Sequence, residues 1–279
     1  FGGPSILLGT SKLFDRNKFQ LFFTPQSNED DSSLFERYLE DARMEFQKLP
    51  RFRVLYRGGI ALILSSILPR RLKTLCIRTL VKKNEFCEII SNYSLVCDIR
   101  GISQTDFFGR GLRTYLGENM ILISAKILGK KAMKLTQDMG PFNKIANKII
   151  VKSVFPKYDL IIARGIVTKE LLKEIGISKN VVVKPDTAFL LETTGTIPIK
   201  KLLGNYGLIE KEYIVIVASR QVDKRSFYMK EAKVSQYVFN LVKLIDKIQE
   251  ENKFHLVLLP NERTSKEGTS DDLTVAYQI

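Results

Sequence analysis

The sequence predicts an α/β fold with a parallel sheet, arranged as two domains, the second of them incomplete. Three observations carry this. Short apolar runs end in a polar residue or a glycine, and segments with apolar residues three and four apart lie between them. Near residues 193–211 the chain loosens into Gly, Pro and Thr, after which the strand–helix–strand order starts afresh. A length of 279 residues suits one large or two medium domains, and 44% hydrophobic residues are enough to build a buried core.

Taken in order, "FQLFFTP" (19–25) alternates weakly and stops at Pro25, which predicts a strand. In the acidic stretch "QSNEDDSSLFERYLEDARMEF", Ser32 and Ser33 precede an amphipathic helix. "RFRVLY" (51–56) reads as a second short strand, and residues 60–82 read as helical. The apolar core of "GGIALILSSILPRRLK" is too short to span a bilayer. It predicts a core helix, with a peripheral surface helix carrying a basic edge as the other reading.

"SLVCDIRG" (94–101) is an apolar run broken by Asp98 and Gly101, as at the carboxyl end of a parallel strand. "GLRTYLGENMILISAKILGKK" is a helix closed by Gly129 and two lysines. The strand "AMKLTQ" and the helix "FNKIANKIIVKSVF" follow, then the strand "DLIIARG". "TKELLKEIG" is a helix with Thr168 as N-cap and Gly176 past its end, and "NVVVKPD" is a strand. The second unit reads as the strand "EYIVIVASR", the long helix "KVSQYVFNLVKLIDKIQEENK" and the strand "FHLVLLPNE". Both ends read as cut: the chain opens on Phe1 without a visible secretory signal, and "DDLTVAYQI" stops inside what reads as the start of a helix.

Charge and rare residues narrow the chemistry. Forty-four basic against 30 acidic residues give a net charge of +14, which favours anionic partners without choosing among them. No basic–aromatic stripe or nucleic-acid reader motif occurs, so nucleic acid is set aside as a partner. Cys76, Cys87 and Cys97 form no CxxC pair, and they read as small core residues in a reducing compartment. The one histidine, His255, excludes His-rich metal sites, and neither metal nor cofactor is expected. It lies within a strand and reads as a satisfied, half-buried residue.

In open parallel sheets ligands bind beyond the carboxyl ends of the strands. The residues expected there are Arg100, Gly101, Ser103, Gln104, Thr105 and Asp106, then Gln137 and Asp138, Arg164 and Gly165, and Lys184 and Asp186. In the second unit they are Ser219, Arg220 and Gln221, then Pro260 and Asn261. Arginines from two domains facing one cleft suit a phosphate or carboxylate, because a guanidinium fork makes two hydrogen bonds to such groups. The other reading is that Arg100, Arg164 and Arg220 only solvate strand ends. Gly2 and Gly3 in "FGGPS" let a backbone approach a phosphate and open a helix at Ser5, without matching a nucleotide fingerprint. Asp271 and Asp272 are placed to cap the last helix.

Five stretches, in order, carry a resemblance to the polysaccharide pyruvyl transferase family. They are "GGPSILLGTSKLF", "DIRGISQTDFFG", "LTQDMGPF", "DLIIARGIVTKELLKEIGI" with "VVVKPDTAFLLE", and "IVIVASR" with "LVLLPNE…DDLTVAYQI". The resemblance spans nearly the whole chain. It implies two Rossmann-like domains of GT-B type: residues 1–197, lacking a first strand, and residues 198–279, a partial second domain. It also implies transfer of a pyruvyl group from phosphoenolpyruvate to a sugar hydroxyl pair as a ketal, on a cell-surface polysaccharide or its lipid-linked precursor. The implied partners are therefore phosphoenolpyruvate and a saccharide acceptor, with a cytoplasmic location and peripheral contact at the inner face of the membrane.

By matching position, Arg164 is the residue expected to hold the donor's phosphate or carboxylate. Asp138 or Asp106 is the expected base. Gln137 and Asp138 line the acceptor side, Arg220 faces them from the second domain, and Gly2, Gly3, Ser103 and Asn261 complete the binding set. Three departures stand out. Asn261 replaces a frequent histidine, Asp138 replaces a frequent serine, and the family's later Arg-x-His segment is absent, the sequence ending before it at "DDLTVAYQI". The alternatives are a GT-B-type sugar-nucleotide glycosyltransferase or epimerase, and an inactive family member acting as a binding protein.

Overall fold

Apolar runs that alternate with helical segments do pair in parallel in this computed structural model, which describes residues 2–13, 20–23, 46–48, 52–106, 111–191, 199–210, 212–251, 254–260 and 272–279. The chain divides into two compact units, Gly2–Leu191 and Glu192–Ile279. Each is described by itself.

In the first unit, helix α1 (Gly2–Ser11) is followed by the short strands β1 (Leu21–Phe23) and β2 (Phe46–Lys48), which pair in parallel. Three helices come next: α2 (Phe52–Ser65), α3 (Arg70–Lys83) and α4 (Glu85–Ser91). The strand expected at 51–56 is thus the first turns of α2. Its Val54, Leu55 and Tyr56 look extended in isolation, but Leu55, Gly58, Gly59 and Leu62 fall three and four apart and are all buried on one face. The helix expected over 60–82 breaks at Ser66–Pro69, where Pro69 cannot continue α2 and sits ahead of α3. Asn84 then caps α4, its side chain accepting from Cys87 N at 3.2 Å.

The main sheet contains β3 (Leu95–Asp98), β5 (Lys131–Met139), β6 (Leu160–Arg164) and β7 (Val181–Lys184), in that order and all parallel. A two-residue strand β4 (Ile102–Ser103) pairs with the far end of β5. Between the strands run α5 (Leu112–Ile127), α6 (Ile145–Val154) and α7 (Ile166–Glu174). A 3-10 turn, Thr187–Leu190, follows β7. α5 packs on β3 and β5, and α7 packs on β5, β6 and β7. One core joins these layers, with Leu62, Phe86, Leu122, Met139, Phe155, Ile161 and Leu172 at most 2% exposed. Each such side chain contributes about 1.5–3 kcal/mol by leaving water. Cys87 belongs to this core, while Cys76 and Cys97 are partly buried and all three are free thiols.

Two local expectations change. Thr168 is not the N-cap of α7: the helix starts at Ile166, Gly165 takes the cap position at φ 92°, and Thr168 is buried inside the first turn. A left-handed residue at the cap lets the chain turn from β6 into α7 with no intervening loop, and glycine takes that conformation without strain. β5 is also longer than "AMKLTQ". Its register shifts between Lys134 and Gln137, with Thr136 at φ 45°, and the strand resumes through Asp138 and Met139 against β4.

The second unit begins with helix α8 (Ile199–Asn205), inside the stretch expected to be a linker. Strands β8 (Tyr213–Ala218) and β11 (His255–Pro260) pair in parallel, Tyr213 opposite His255 and Ala218 opposite Pro260. Between them lie α9 (Arg220–Asp223), the hairpin strands β9 (Tyr228–Met229) and β10 (Val234–Ser235), and the long α10 (Gln236–Glu251). Helix α11 (Leu273–Ala276) closes the unit. Ala218, Val238 and Val275 form its small core, while Val215, Val217 and Leu259 are exposed. His255 is exposed at the start of β11 rather than half-buried within it. Asp272 does stand at the N-cap of α11, but its carboxylate accepts from Arg220 N at 2.6 Å and so anchors α9 instead.

Among the described residues, no helix is long and apolar enough to cross a membrane, and no group of His, Cys, Asp and Glu could hold a metal ion. The amphipathic helix expected after Ser32 and Ser33 lies outside the described residues.

Candidate active site at the strand ends

The carboxyl ends of β3, β5, β6 and β7 each deliver charged side chains, and these form two layers. The lower one is built on Lys134, which stands in the middle of β5 and is fully buried. Its ammonium lies 3.0 Å from Asp98 Oδ2 and 3.3 Å from both Ser103 Oγ and Gln137 Oε1. It also sits 5.3 Å from the centre of the Phe155 ring, a favourable place for a cation. Ser103 Oγ donates to Gln137 Oε1 at 2.5 Å, and Gln137 Nε2 donates to the Asp98 carbonyl at 2.8 Å. Arg100 closes over Asp98 from outside, Nε donating to Oδ1 at 2.9 Å and Nη2 to Oδ2 at 2.6 Å.

Burial pushes the Asp98 carboxyl up, but the charges of Arg100 and Lys134 outweigh it and hold the group well below the usual carboxylate range. Burial pulls the Lys134 ammonium down, against the opposing pull of Asp98. Asp98 is therefore the fixed negative charge of the layer. Gln137 and Ser103 are fully buried, and both side chains are engaged from below as the floor of the strand ends.

The segment after β4 is bolted to α5 and α6. Gln104, at φ 49°, donates from its backbone N and from Nε2 to Glu118 Oε2 at 2.7 and 2.8 Å. The Asp106 carboxylate accepts from Tyr115 Oη at 3.0 Å, Asn147 Nδ2 at 2.8 Å and Lys144 N at 2.7 Å.

Above this floor sits Arg164, the last residue of β6. Nε donates to Asp138 Oδ2 at 2.9 Å, Nη2 pairs with the same oxygen, and Nη1 donates to Asp186 Oδ2 at 2.6 Å. Burial acts to lower its pKa, and the hydrogen bonds to Asp138 and Asp186 more than reverse that, so it is raised. Thr168 Oγ1 donates to Asp138 Oδ1 at 3.3 Å. Asp186 uses its second oxygen to cap the 3-10 turn, accepting from Ala188 N at 2.9 Å. One cation thus joins β5, β6 and the turn after β7. The trio carries one positive and two negative charges, and its most open member is Asp138, whose side chain is 43% exposed.

Helix α1 seats against the same place. Gly101 leaves room for Ile6: a Cβ there would lie 2.8 Å from Ile6 Cδ1 and 3.7 Å from an Arg164 nitrogen. Thr187 Oγ1 donates to the Ile6 carbonyl at 3.1 Å and lies 3.2 Å from Thr10 Oγ1. Gly9 lies so close to the turn that a Cβ would sit 1.8 Å from the Thr187 carbonyl oxygen. Gly2 and Gly3 form the first turn of this helix.

Of the residues expected from the sequence, the strand ends bring Ser103, Gln137, Asp138 and Arg164 together, with Asp106 on the neighbouring segment. Arg220 lies in the second unit and pairs there with Asp223. Asn261 lies outside the described residues. Lys134, Glu118, Gly9 and Thr187 were not anticipated. Lys134 alone left a signal, a lysine inside an otherwise apolar strand run.

Comparison with curated proteins finds no match. The family model for polysaccharide pyruvyl transferase matches residues 5–267, so it takes in α1 from Ser5 onward, the whole parallel sheet with both charged layers, and β8 through β11. With a match of that extent, the chain belongs to the polysaccharide pyruvyl transferase family.

Proposed function

We propose that this protein moves a pyruvyl group from phosphoenolpyruvate onto two hydroxyls of one sugar, forming a ketal on a cell-surface polysaccharide or its lipid-linked precursor. The observation that carries the reading is the family match over residues 5–267. A GT-B pairing of two Rossmann-like domains, residues 1–197 and 198–279, is part of the proposal. So is a cytoplasmic site of reaction.

In this reading the methylene of phosphoenolpyruvate takes a proton as the first sugar hydroxyl adds to the neighbouring carbon. Phosphate leaves by cleavage of its bond to that carbon, and the second hydroxyl closes the ketal. Two hydroxyl protons are lost, one balanced by the new methyl group and one by the departing phosphate. Asp138 is the proposed base, because its side chain is the most open of the trio and, among the described residues, its Oδ1 carries only the Thr168 hydroxyl at 3.3 Å. Asp106 suits the role less well, with three donors on its carboxylate.

Arg164 is the proposed contact for the donor's anionic group. It already holds two carboxylates, so an incoming phosphate or carboxylate takes one arm from Asp186 and exchanges one anion for another. Gly2, Gly3, Ser103, Gln137, Arg220 and Asn261 are proposed to shape the remainder of the site, Ser103 and Gln137 by supporting it from below.

The test is phosphate release from phosphoenolpyruvate in the presence of saccharide and lipid-linked saccharide acceptors, with mass spectrometry of the acceptor. Phosphate and a pyruvyl-modified acceptor in equal amounts are expected. Nucleotide release from a sugar nucleotide, with phosphoenolpyruvate untouched, would replace this reading with glycosyl transfer.

A further inference from the structure

The hairpin of α2 and α3 carries a surface that the reaction does not use. From Phe52 to Lys83 the chain has eight Lys and Arg residues and no Asp or Glu. The ion pairs among the described residues involve none of these eight. α3 has no buried residue at all, although Ile77, Leu80 and Val81 rest against the core on its inner side.

The outer side is apolar as well as basic. Ile60, Leu64, Ile67, Leu68, Leu72 and Leu75 range from 38% to 80% exposed. On α2, Ile60 and Leu64 are four apart and share a face that runs on to Ile67 and Leu68, while Leu72 and Leu75 are three apart on α3. A groove of about 400 Å³ opens beside them, lined by Leu75, Ile77, Arg78, Thr79, Val81 and Lys82.

We infer that this face docks the protein on an anionic lipid surface, with the leucines entering the acyl boundary and the arginines and lysines meeting headgroup phosphates. Charge complementarity selects the occupant. A hairpin with eight Lys and Arg residues and no Asp or Glu repels a second copy of itself, so self-association is disfavoured. Nucleic acid would engage the charges but leave the aliphatic side chains in water, and among the described side chains of the hairpin no exposed aromatic offers a platform for stacking bases. A bilayer interface satisfies both halves of the surface at once. The inference goes beyond the reaction and does not depend on it.

The test is co-sedimentation of the purified protein with phosphatidylcholine vesicles, with and without phosphatidylglycerol. Binding is expected only with phosphatidylglycerol, weakening as salt rises. Each basic residue removed should lower the partition about fivefold, so Arg71→Ala/Arg78→Ala/Lys82→Ala should lose on the order of a hundredfold. Leu72→Ser/Leu75→Ser should keep a weak attraction that salt abolishes. All five positions are exposed, so thermal unfolding of both variants should match the parent. Three results would overturn the inference. They are wild-type protein left in the supernatant, vesicle binding undiminished in the triple variant, and tighter binding of the same face to an RNA or DNA oligomer.

Discussion

Replacing Asp98 by Asn tests the lower charged layer most directly. The change keeps the side chain's size and removes its charge, leaving the buried Lys134 ammonium with neutral groups alone, among them Ser103 Oγ and Gln137 Oε1, both at 3.3 Å. Stripping one partner from a buried pair costs about 3–5 kcal/mol, because the remaining charge stays desolvated. At about 2–4 °C per kcal/mol for a domain of this size, the melting point should fall by roughly 6–20 °C. Lys134→Met should cost less, about 2–3 kcal/mol. There Asp98 keeps both Arg100 contacts, at 2.9 and 2.6 Å, and methionine fills the space.

The two variants should also differ in their response to pH. Asp98 has a depressed pKa in the fold, so its contribution is present above the unfolded value near pH ~3.9 and is lost as pH falls toward the folded one. Lys134 is depressed as well, and in Asp98→Asn it loses the charge that opposed its burial. Between its folded value and the unfolded value near ~10.4 the unfolded chain binds the extra proton, so stability should rise with pH. Urea unfolding followed by circular dichroism below pH ~4 measures the first effect, and the same measurement across neutral and alkaline pH measures the second. If both variants fall within about 0.5 kcal/mol of the parent, or Asp98→Asn is flat across that range, the buried pair does not hold this layer together.

Three further outcomes are expected. Gly9→Ala should destabilise by about 1–3 kcal/mol in urea unfolding, because its Cβ would meet the Thr187 carbonyl at 1.8 Å. On an exposed helix the same change would stabilise by about 1 kcal/mol, so a neutral or positive result would mean that α1 does not seat there. With phosphoenolpyruvate and acceptor, Asp138→Asn should slow turnover by about 10²–10⁴-fold, and unchanged turnover would remove Asp138 as base. Arg164→Lys should also lose activity, since one ammonium does not reproduce a guanidinium that spans Asp138 and Asp186. Burial pushes Cys87 up to about 11 and Cys97 up to about 12, so both should resist iodoacetamide at neutral pH in the folded protein and react after unfolding, as read by peptide mass spectrometry.

Strands β3, β6 and β7 were legible because each is an apolar run that stops at a charged residue, at Asp98, Arg164 and Lys184. That same rule placed Asp138, Arg164 and Asp186 at the carboxyl ends of their strands without any view of their contacts. It failed where a local pattern fits two structures. Val54, Leu55 and Tyr56 suit a strand until Gly58, Gly59 and Leu62 supply the rest of a helical face. Thr168 looked like a cap because its type favours that place, but the left-handed Gly165 had already taken it. The continuation of β5 past Thr136 depends on a register shift against β6, a partnership that no single run of residues encodes. Lys134 was passed over because burying a lysine is intelligible only once Asp98, 36 residues away, is known to meet it.

The clasp between α1 and the turn after β7 bears on how the chain is made. Its two hydrogen bonds link residues 177 and 181 positions apart. A ribosome adding about 5–20 residues per second leaves α1 without its seat for roughly ten to forty seconds. All five strands of the main sheet are synthesised before Thr187. During that interval Ile6, which packs beside Gly101 and Arg164, has no partner from the turn. The strand-end site therefore takes its final form only after the sheet beneath it has been synthesised, and a nascent chain halted before Thr187 should expose α1 to protease while β3, β5 and β6 are already complete.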